Sequence, residues 1–308
     1  MQKEYPITEP ERLDQAIART HGCSRSQAVK LIQTGSVFLN NQKMTKPAKN
    51  VSIGDTMEIR EGMEEKVPEK VSPDFKGINI PILYEDVDCL VVHKPAGFAV
   101  HPSETSQGKP TIIEILRAKY GANLDLVHRL DKETTGCLLV AKSAGAYAKL
   151  QKQFSDRSVQ KTYLAIVAGI PKEKKARIEA EIGRSLVNRV KMSLFKTGYS
   201  RPAVTNYEVL AESTDAALLK CDIETGRTHQ IRVHLSSIGH PILGDDKYNS
   251  ADSRITTNAH GVTSLCLHAR ELKFTPPGKK KEVAVQAPAP DALKENAKRC
   301  GIDTIQFN

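Results

Sequence analysis

The stretch "HRLDKETTGCLLVAK", residues 128–142, joins a polar loop to a run of apolar residues. The segment "GCLLVAK" predicts a buried strand, because a short apolar run bounded by turn residues is typical of one. The Thr-Thr-Gly sequence before it is typical of a turn. Asp131 lies in this loop between Arg129 and Lys132, although the whole chain is basic. The carboxylate at this position is therefore the first candidate for a functional group.

Similar short apolar runs recur from about Ile78 onward and alternate with turns. Helical patterns are fewer and lie in "TIIEILRAKY", "AGAYAKLQKQFSD" and "RTHQIRVHLSSIG". The predicted strands lie in "CLVVHKP", "GCLLVAKS", "TYLAIVAG", "TNYEVLAES", "AALLKCDIE", "LHARELKFTPP" and "EVAVQAP". Many adjacent strands with few helices predict an α+β fold, with a large, mainly antiparallel or mixed β-sheet flanked by helices.

The first 60 residues predict a separate small α/β unit. Two helix patterns, "ERLDQAIART" and "SRSQAVKLIQTG", are followed by a hairpin in "SVFLNNQKMTKP" that turns at Asn40 and Asn41, and by a strand in "GDTMEIR". Ser24 is a candidate N-cap of the second helix, and Gly35 is expected to end it. Residues 61–77 contain few apolar residues and two prolines, which is typical of a linker. The chain is thus expected to divide into residues 1–60, a linker at 61–77, and a large domain at 78–308.

The composition indicates a polyanionic partner. The 308 residues include 45 Lys and Arg against 36 Asp and Glu, a formal net charge of +9. Nucleic acid is the commonest partner of such a chain, although solubility alone is the alternative explanation. The sequence has no apolar run long enough to span a membrane and no apolar signal-peptide core, so we expect a cytoplasmic protein. Nothing in the sequence demands more than a monomer.

The cysteines and histidines give no indication of a metal site. Six isolated cysteines lie among apolar neighbours without a CxxC motif, which is typical of reduced, buried thiols. The histidines lack the spacing of a helical zinc motif. We therefore expect neither metal nor disulfides.

The small unit resembles the S-four-type RNA-binding domain of a ribosomal protein and of several RNA-modifying enzymes. The resemblance rests on the "RLD" start, the "SRS" helix start, "G-x-V", Asn41, and "GD" before the last strand. It implies that the second helix and its flanks contact the backbone of folded RNA. The candidate contacts are Arg25, Lys30 and Lys43, for which a solvated basic face is the alternative. Contacts of this kind set position and affinity rather than sequence preference.

The large domain resembles the RluA family of pseudouridine synthases from about Ile80 to Pro277. Two motifs carry the resemblance, "HRLDKETTG" and "TGRTHQIRVHL", and "VVHKPAG" and "KTYLA" support it. His93 and Thr135 are mild departures from the family pattern. The resemblance implies an enzyme that isomerises uridine in RNA without a cofactor. A small RNA-binding domain in front is the arrangement of the ribosomal-RNA branch, so large-subunit (23S) ribosomal RNA is the expected substrate.

The resemblance assigns catalysis to Asp131, Arg232 and Tyr163. The chemistry requires an ionised, oriented carboxylate, and a nearby guanidinium opposes the protonation that burial favours. Arg232 is the expected partner of Asp131, and Arg227 is the alternative. The inward stripe of the predicted helix comprises Ile231, His234, Leu235 and Ile238. His229 and Arg232 share another edge of that helix.

The remaining candidate residues concern RNA. Tyr163 is assigned to the target base, although a strand tyrosine is most often part of a core. Lys161 is expected on the same side of that strand, where it contacts phosphate. The target nucleotide has to leave its stack, and Arg129 and His128 are candidates for the wedge or phosphate clamp. A backbone-bonded strand-end role is the alternative for His128. Arg227 and His229 complete the set of expected RNA contacts.

Three alternatives remain open at this point. A non-catalytic RNA-binding protein of ribosome assembly would keep the basic surfaces but would not need the three catalytic candidates. A transfer RNA pseudouridine synthase would share the chemistry. A metal-dependent hydrolase would need a cluster of ligands, and the acidic pair in "GDD", residues 244–246, favours a helix-to-strand turn instead.

Overall fold

The computed structural model describes residues 2–23, 25–60, 75, 78–102, 106, 108–185, 191–194 and 200–307, apart from the side chains of Gln2, Lys3, Ser26, Lys30 and Gln306. The chain forms two compact units, Met1–Lys76 and Gly77–Asn308. Almost all of the linker expected at residues 61–77 lies outside the described residues, as does Ser24.

The first unit packs two helices on a small antiparallel sheet. Its elements are β1 (Gln2–Pro6), β2 (Glu11–Arg12), α1 (Leu13–His21), α2 (Arg25–Gln33), β3 (Val37–Leu39), β4 (Gln42–Lys43), β5 (Asn50–Val51) and β6 (Thr56–Arg60). The sheet order is β1-β6-β3-β4, and β2 pairs with β5. The predicted hairpin is confirmed: Asn40 and Asn41 have φ of 49° and 64°, as a two-residue turn with both central residues in the left-handed region requires. Strand β1 was not predicted.

The second unit contains the large sheet. Its strands are β7 (Ile82–Glu85), β8 (Cys89–Lys94), β9 (Asp125–Leu126), β10 (Thr135–Ala141), β11 (Gln160–Ala168), β12 (Lys175–Arg184), β13 (Met192–Ser193), β14 (Arg201–Glu212), β15 (Ala216–Ile223), β16 (Leu267–Phe274) and β17 (Val283–Gln286). Its helices are α3 (Ile112–Tyr120), α4 (Ala144–Ser155), α5 (Gln230–Ser237), α6 (Ala251–Ala259) and α7 (Asp291–Arg299), and a short 3-10 helix follows at Ile305–Phe307.

The sheet is mixed, which confirms the predicted fold class. Its main path is β13-β12-β14-β15-β11-β16-β10-β8-β7, with β17 on β16 and β9 on β10. In the described part of the chain β10 and β16 form the one parallel pair, and the other pairs are antiparallel. None of the described helices is both long and apolar enough to cross a bilayer.

Strand β10 is buried on both faces, which explains its continuous apolar sequence. Cys137, Leu139 and Ala141 pack into a core cluster with Leu150 of α4 and Phe274 of β16. The alternate residues of β10 are also inaccessible to solvent. Burying a large apolar side chain contributes about 1.5–3 kcal/mol, so this strand is a rigid base for the loop that precedes it.

Several elements of the second unit were not predicted, among them the short strands β7, β9 and β13, and β12 and α6 share a physical reason. Strand β12 has the sequence "KARIEAEIGR", in which small or single apolar residues alternate with charges that face solvent. Helix α6, "ADSRITTNA", is mostly polar and has one fully buried residue, Ser253, in its capping box. Both elements bury little apolar area, so their apolar pattern is weak.

The turn into β10 depends on Gly136. Its φ is 113°, and a Cβ added there would lie 2.1 Å from the backbone oxygen of Ala269 on β16. A side chain at this position would therefore meet both backbone strain and a steric clash with a neighbouring strand. The Thr-Thr-Gly turn is thus part of the parallel pairing between β10 and β16.

We expect Gly136→Ala to lower the free energy of unfolding by about 2–5 kcal/mol, the sum of about 1–2 kcal/mol for left-handed backbone and about 1–3 kcal/mol for overpacking. The chain lacks tryptophan, so urea unfolding followed by far-UV circular dichroism is the suitable measurement. Gly145→Ala is the matched control, because nothing lies within 4 Å of its Cβ position and alanine favours the helix. Equal stabilities for the two variants would contradict this account.

Candidate active site

A buried lysine holds the loop before β10 in place by hydrogen bonds. Lys94, at the end of β8, is fully buried, and its Nζ donates hydrogen bonds to the carbonyls of Pro95, Lys132 and Thr134 at 2.8, 2.8 and 2.9 Å. Burial lowers the pKa of Lys94 to about 7, against the opposing charges of Glu133 and Asp131. These three hydrogen bonds tie the part of the loop that follows Asp131 to the end of β8. Sequence reasoning missed this role, although a lysine that ends an apolar strand is an indication of it.

Arg232 connects Asp131 to a second acid. Its Nη1 donates to Asp131 Oδ2 at 3.2 Å, and its Nε and Nη2 each donate to Asp245 at 2.7 Å. Nη2 also lies 3.3 Å from Asp246. The side chain of Arg232 is 5% exposed, that of Asp245 is 0% exposed and that of Asp131 is 16% exposed. Asp131 is thus a partly exposed member of the ion cluster, between the buried Asp245 and the exposed Asp246.

The ion cluster remains charged despite its burial. Burial raises the pKa of Asp245, but the hydrogen bonds and charge of Arg232 outweigh this effect and hold that pKa below its usual value. Burial lowers the pKa of Arg232, but Asp245 and then Asp131 outweigh that effect and raise it. The guanidinium is therefore a permanent cation beside Asp131.

The interpretation of "GDD" as a simple turn was wrong. Asp245 caps a tight turn by accepting hydrogen bonds from the backbone N–H groups of Lys247 and Tyr248 at 2.8 and 3.0 Å, and it also binds Arg232 bidentately. The segment leads into α6 rather than into a strand. Its acidic pair would have been informative if it had been paired with the buried arginine of the preceding helix.

The helix that carries Arg232 begins later than the sequence predicted. Helix α5 starts at Gln230, and His229 precedes it with φ of 56° in the left-handed region. His229 and Arg232 therefore do not share a helical edge, yet both approach Asp131, at 3.8 Å from Nε2 and 3.2 Å from Nη1. Ile238, expected to face inward, is 38% exposed because the helix ends at Ser237.

Tyr248 orients His229. The Tyr248 hydroxyl accepts a hydrogen bond from the Met192 N–H at 2.7 Å and lies 2.8 Å from His229 Nδ1. If the tyrosine proton lies on this contact, Nε2 carries the proton of the neutral imidazole and faces Asp131. Burial lowers the pKa of His229, although the negative charge of Asp131 opposes this effect. The lowered pKa favours the neutral imidazole. Tyr248 was not predicted as a site residue, and His229 was predicted on the helix, although its positive φ places it before the helix begins.

Tyr163 lines the same cavity as Asp131. The cavity has a volume of about 60 Å³ and its walls include Asp131, Tyr163, His229 and Arg232. The tyrosine is 8% exposed, and burial together with the charge of Asp131 raises its pKa. Its hydroxyl therefore stays protonated at neutral pH. A cavity of this size holds a few water molecules and no nucleoside.

Apart from His128, the other predicted RNA contacts of the second unit line this cavity, a larger neighbouring one, or both. Arg129 and Arg227 are exposed and line both this cavity and a larger neighbouring one, and Arg227 Nε donates to the Pro202 carbonyl at 3.2 Å. Lys161 lines the larger cavity with Tyr163, so the two share a side of the strand as expected.

The expectation that His128 clamps phosphate was wrong. Its Nε2 accepts the N–H of Leu139 at 3.0 Å, and its ring stacks on Phe154 at a centroid distance of 5.0 Å. Burial, and then the charge of Lys161, lower its pKa to about 3. A neutral imidazole that already accepts a backbone hydrogen bond has no charge to offer a phosphate. The backbone-bonded alternative therefore holds.

In the small unit, two of the three predicted contacts are described. Arg25 is half-exposed, and its Nε donates to Asp14 at 3.0 Å, while Arg12 binds the same carboxylate. Burial raises the pKa of Asp14, but the hydrogen bonds and charges of these two arginines outweigh that effect, so the pKa is lowered overall. Lys43 is exposed beside a surface cavity of about 570 Å³. The side chain of Lys30 lies outside the described residues.

Among the described residues, no group of three or more His, Cys, Asp or Glu side chains is placed to hold a metal ion. The chemistry that the described groups offer is that of one oriented carboxylate, with a guanidinium, an imidazole and a phenol around it.

Comparison with known proteins gives consistent matches along the chain. The RNA pseudouridylate synthase family matches residues 88–237, and the S4 domain matches residues 11–57. The ribosomal large subunit pseudouridine synthase D of Zymomonas mobilis is 34% identical over 295 residues, 92% of each chain. The ribosomal large subunit pseudouridine synthase C of Escherichia coli (strain K12) is 35% identical over 294 residues, 92% of this chain and 91% of that one.

A solved structure matches as well. Human RNA Pseudouridylate Synthase Domain Containing 4 superimposes with a TM-score of 0.60 at 29% identity, over 73% of this chain and 94% of that chain. These matches confirm the resemblance that the two sequence motifs indicated. The chain belongs to the RluA family of RNA pseudouridine synthases, isomerases that act on RNA.

Proposed function

We propose that this enzyme converts a uridine of large-subunit (23S) ribosomal RNA to pseudouridine, with Asp131 as the reacting carboxylate. The substrate is supported by the relatives named ribosomal large subunit pseudouridine synthases, which match more than 90% of the chain. The reaction takes place in the cytoplasm, where that RNA is made and assembled in bacteria. The enzyme works as a monomer and without a metal ion.

The observation that carries the role of Asp131 is its contact with Arg232. The guanidinium approaches Oδ2, and His229 Nε2 approaches the same oxygen. Both contacts favour the ionised form and fix the plane of the carboxylate. They leave Oδ1 for the nucleoside in the cavity. An oriented anion with one uncommitted oxygen is what attack on a sugar carbon or a ring carbon requires.

The reaction moves one bond and one proton without any change in oxidation state. The bond between ring N1 and ribose C1′ breaks, the base turns, and a new bond joins C5 to C1′. The proton of C5 is then lost, and N1 gains one. Asp131 acts on the sugar or the ring, and the Tyr163 ring holds the turning base by stacking. The protonated hydroxyl of Tyr163 offers the base a hydrogen bond.

The target nucleotide leaves its base stack in order to enter the site. The cavity of about 60 Å³ cannot hold a base, so binding widens it as the target uridine flips in. Arg129 and Arg227 are exposed on the wall between the two cavities and are placed to fill the gap in the stack or to hold phosphate. Flipping costs about a few kcal/mol, which these contacts offset.

The substrate class is tested by mapping pseudouridines in RNA from cells with and without the gene. We expect at least one position in large-subunit ribosomal RNA to be lost and to be restored by the purified enzyme on an unmodified transcript. Loss of a position in transfer RNA instead would favour the alternative substrate. An unchanged map would remove both assignments.

We expect Asp131→Asn to reduce pseudouridine formation by at least about 1,000-fold, because the amide can neither attack carbon nor accept a proton. Affinity for RNA should change by less than about threefold. Glu133→Gln is the matched control, since it makes the same change at an exposed position of the same loop and should stay active. Single-turnover assays and filter binding separate the two effects. An active Asp131→Asn enzyme would refute the role of Asp131.

We expect Asp245→Ala to lower the free energy of unfolding by about 3–5 kcal/mol, because it leaves the buried Arg232 with only its weaker partners, Asp131 and Asp246. The double variant Arg232→Met/Asp245→Leu removes both buried charges and should regain most of that stability while forming no pseudouridine. Urea unfolding and a product assay on the same preparations make the comparison. Activity in the double variant would show that Asp131 does not need the guanidinium.

We expect removal of residues 1–60 to weaken RNA binding more than the chemical step. The logarithm of the affinity should also depend less steeply on the logarithm of salt concentration, by about 0.7–0.9 for each phosphate that the shortened enzyme no longer neutralises. Binding titrations from low to moderate salt, with single-turnover rates at saturating enzyme, test this. A truncated enzyme with an unchanged salt slope would place the RNA grip elsewhere.

A further inference from the structure

A second, larger cavity lies beside the one that contains Asp131. Its volume is about 460 Å³, within the range of about 300–1,000 Å³ typical of ligand sites. The two cavities share wall residues, among them Arg129, Tyr163 and Arg227. Whatever occupies the second cavity is therefore a direct neighbour of the group that reacts in the first.

The lining of the second cavity is strongly cationic. Its charged residues are Arg129, Arg157, Lys161, Arg227 and one acid, Glu224. The Glu224 carboxylate is engaged outside the cavity, because it accepts hydrogen bonds from Arg177 Nη1 and from Asn206 Nδ2. Four cations thus face a space whose one carboxylate is committed to other partners.

Lys161 is the innermost of these cations. It is 7% exposed, and within the described part of the chain its ammonium forms no hydrogen bond or ion pair. Its Nζ lies 5.6 Å from the ring centroid of Phe154, a cation–π contact that compensates only part of the lost hydration. The Phe154 ring also stacks on His128. A buried cation without a counter-ion is costly, and an incoming anion would remove that cost.

Arg157 adds a strained backbone to this arrangement. It lies between α4 and β11 with φ of 63°, a conformation in which glycine is favoured over arginine. Its guanidinium is exposed at the cavity mouth, and its charge acts on Lys161. The positive φ belongs to the end of α4, where the Ser158 N–H donates a hydrogen bond to the Gln153 carbonyl at 3.0 Å, so it fixes the place of Arg157 without itself indicating a ligand.

We propose that the second cavity binds the phosphate group of a nucleotide adjoining the target uridine, with Lys161 at its floor and Arg157 at its mouth. Lys161 supplies a point charge, and the Arg157 fork supplies paired N–H donors for two phosphate oxygens. The proposal rests on the proposed function, since the shared walls make the occupant the next nucleotide along the same RNA strand. It assigns to Arg157 and Phe154 a role that the reaction itself does not require.

The test measures binding of the full-length enzyme to an unmodified transcript of large-subunit ribosomal RNA across a range of salt concentrations. Lys161→Gln and Arg157→Gly should each make the salt slope shallower by about 0.7. Each should raise KM by about 10–100-fold with kcat within about twofold. Arg157→Gly relieves the backbone strain, so a loss of binding at undiminished stability excludes misfolding as the cause. Lys149→Gln, exposed earlier on α4 and outside both cavities, is the control and should match the wild type.

A second arm uses the titration of Lys161. Burial, and then the charge of Arg157, lower its pKa to about 8. Phosphate requires the protonated ammonium, so wild-type affinity should fall as pH rises through about 8, and Lys161→Arg should remove this dependence. The other groups that face the cavity do not change their protonation state near pH 8. The arginines stay protonated, Glu224 stays ionised, and His128 and Tyr163 stay neutral.

The outcomes separate the two proposals. Unchanged salt slopes and KM values for Lys161→Gln and Arg157→Gly, in an active enzyme, would overturn the phosphate site and leave the proposed function standing. Absence of pseudouridine from the wild-type reaction would overturn the proposed function alone. The salt slope reports binding without turnover, so it decides on the phosphate site in either case.

Discussion

The second unit is organised around one shared guanidinium. Arg232 faces Asp245 with two donors and Asp131 with a third, across 101 residues of sequence. The sheet, the loop before β10 and the turn after α5 all have to be in place for these three side chains to meet. A buried ion cluster of this kind adds little net stability, because desolvation costs about as much as the pairing returns. Its value lies in the ionised, oriented carboxylate that it leaves facing the cavity.

The acid-bearing loop gains its rigidity from the core rather than from its own sequence. Lys94 fixes the carbonyls of Lys132 and Thr134, which follow Asp131 in the loop, and Gly136 allows β10 to pass against the backbone of β16. Thr135 adds a contact of 2.8 Å between its hydroxyl and His268 Nδ1. The loop therefore behaves as an extension of the sheet. Rigid support is what a reacting carboxylate needs, since small misplacements cost large factors in rate.

Much of the fold follows from local patterns in the sequence. The apolar strands, the Asn40 and Asn41 hairpin and the turn at Gly136 each have a local physical cause that single residues reveal. Strand β12 and helix α6 escaped prediction because they bury little apolar area. The site was harder to predict because its parts are long-range or conformationally rare. Asp245 appeared to belong to an ordinary turn, His229 adopts a backbone conformation that histidine seldom takes, and Lys94 acts on carbonyls that no side-chain pattern reports.

The division of donors on Arg232 explains why a second acid is needed beside Asp131, the proposed reacting group. A guanidinium that bound Asp131 bidentately would occupy both of its oxygens and lower their reactivity. Asp245 takes the paired Nε and Nη2 donors, so Asp131 receives one hydrogen bond, on Oδ2. The same acid keeps the buried arginine from becoming a phosphate site, which would draw the RNA backbone into the place of the base. In the proposed phosphate site, the cations of the neighbouring cavity bind backbone charge instead, away from Asp131 and Arg232.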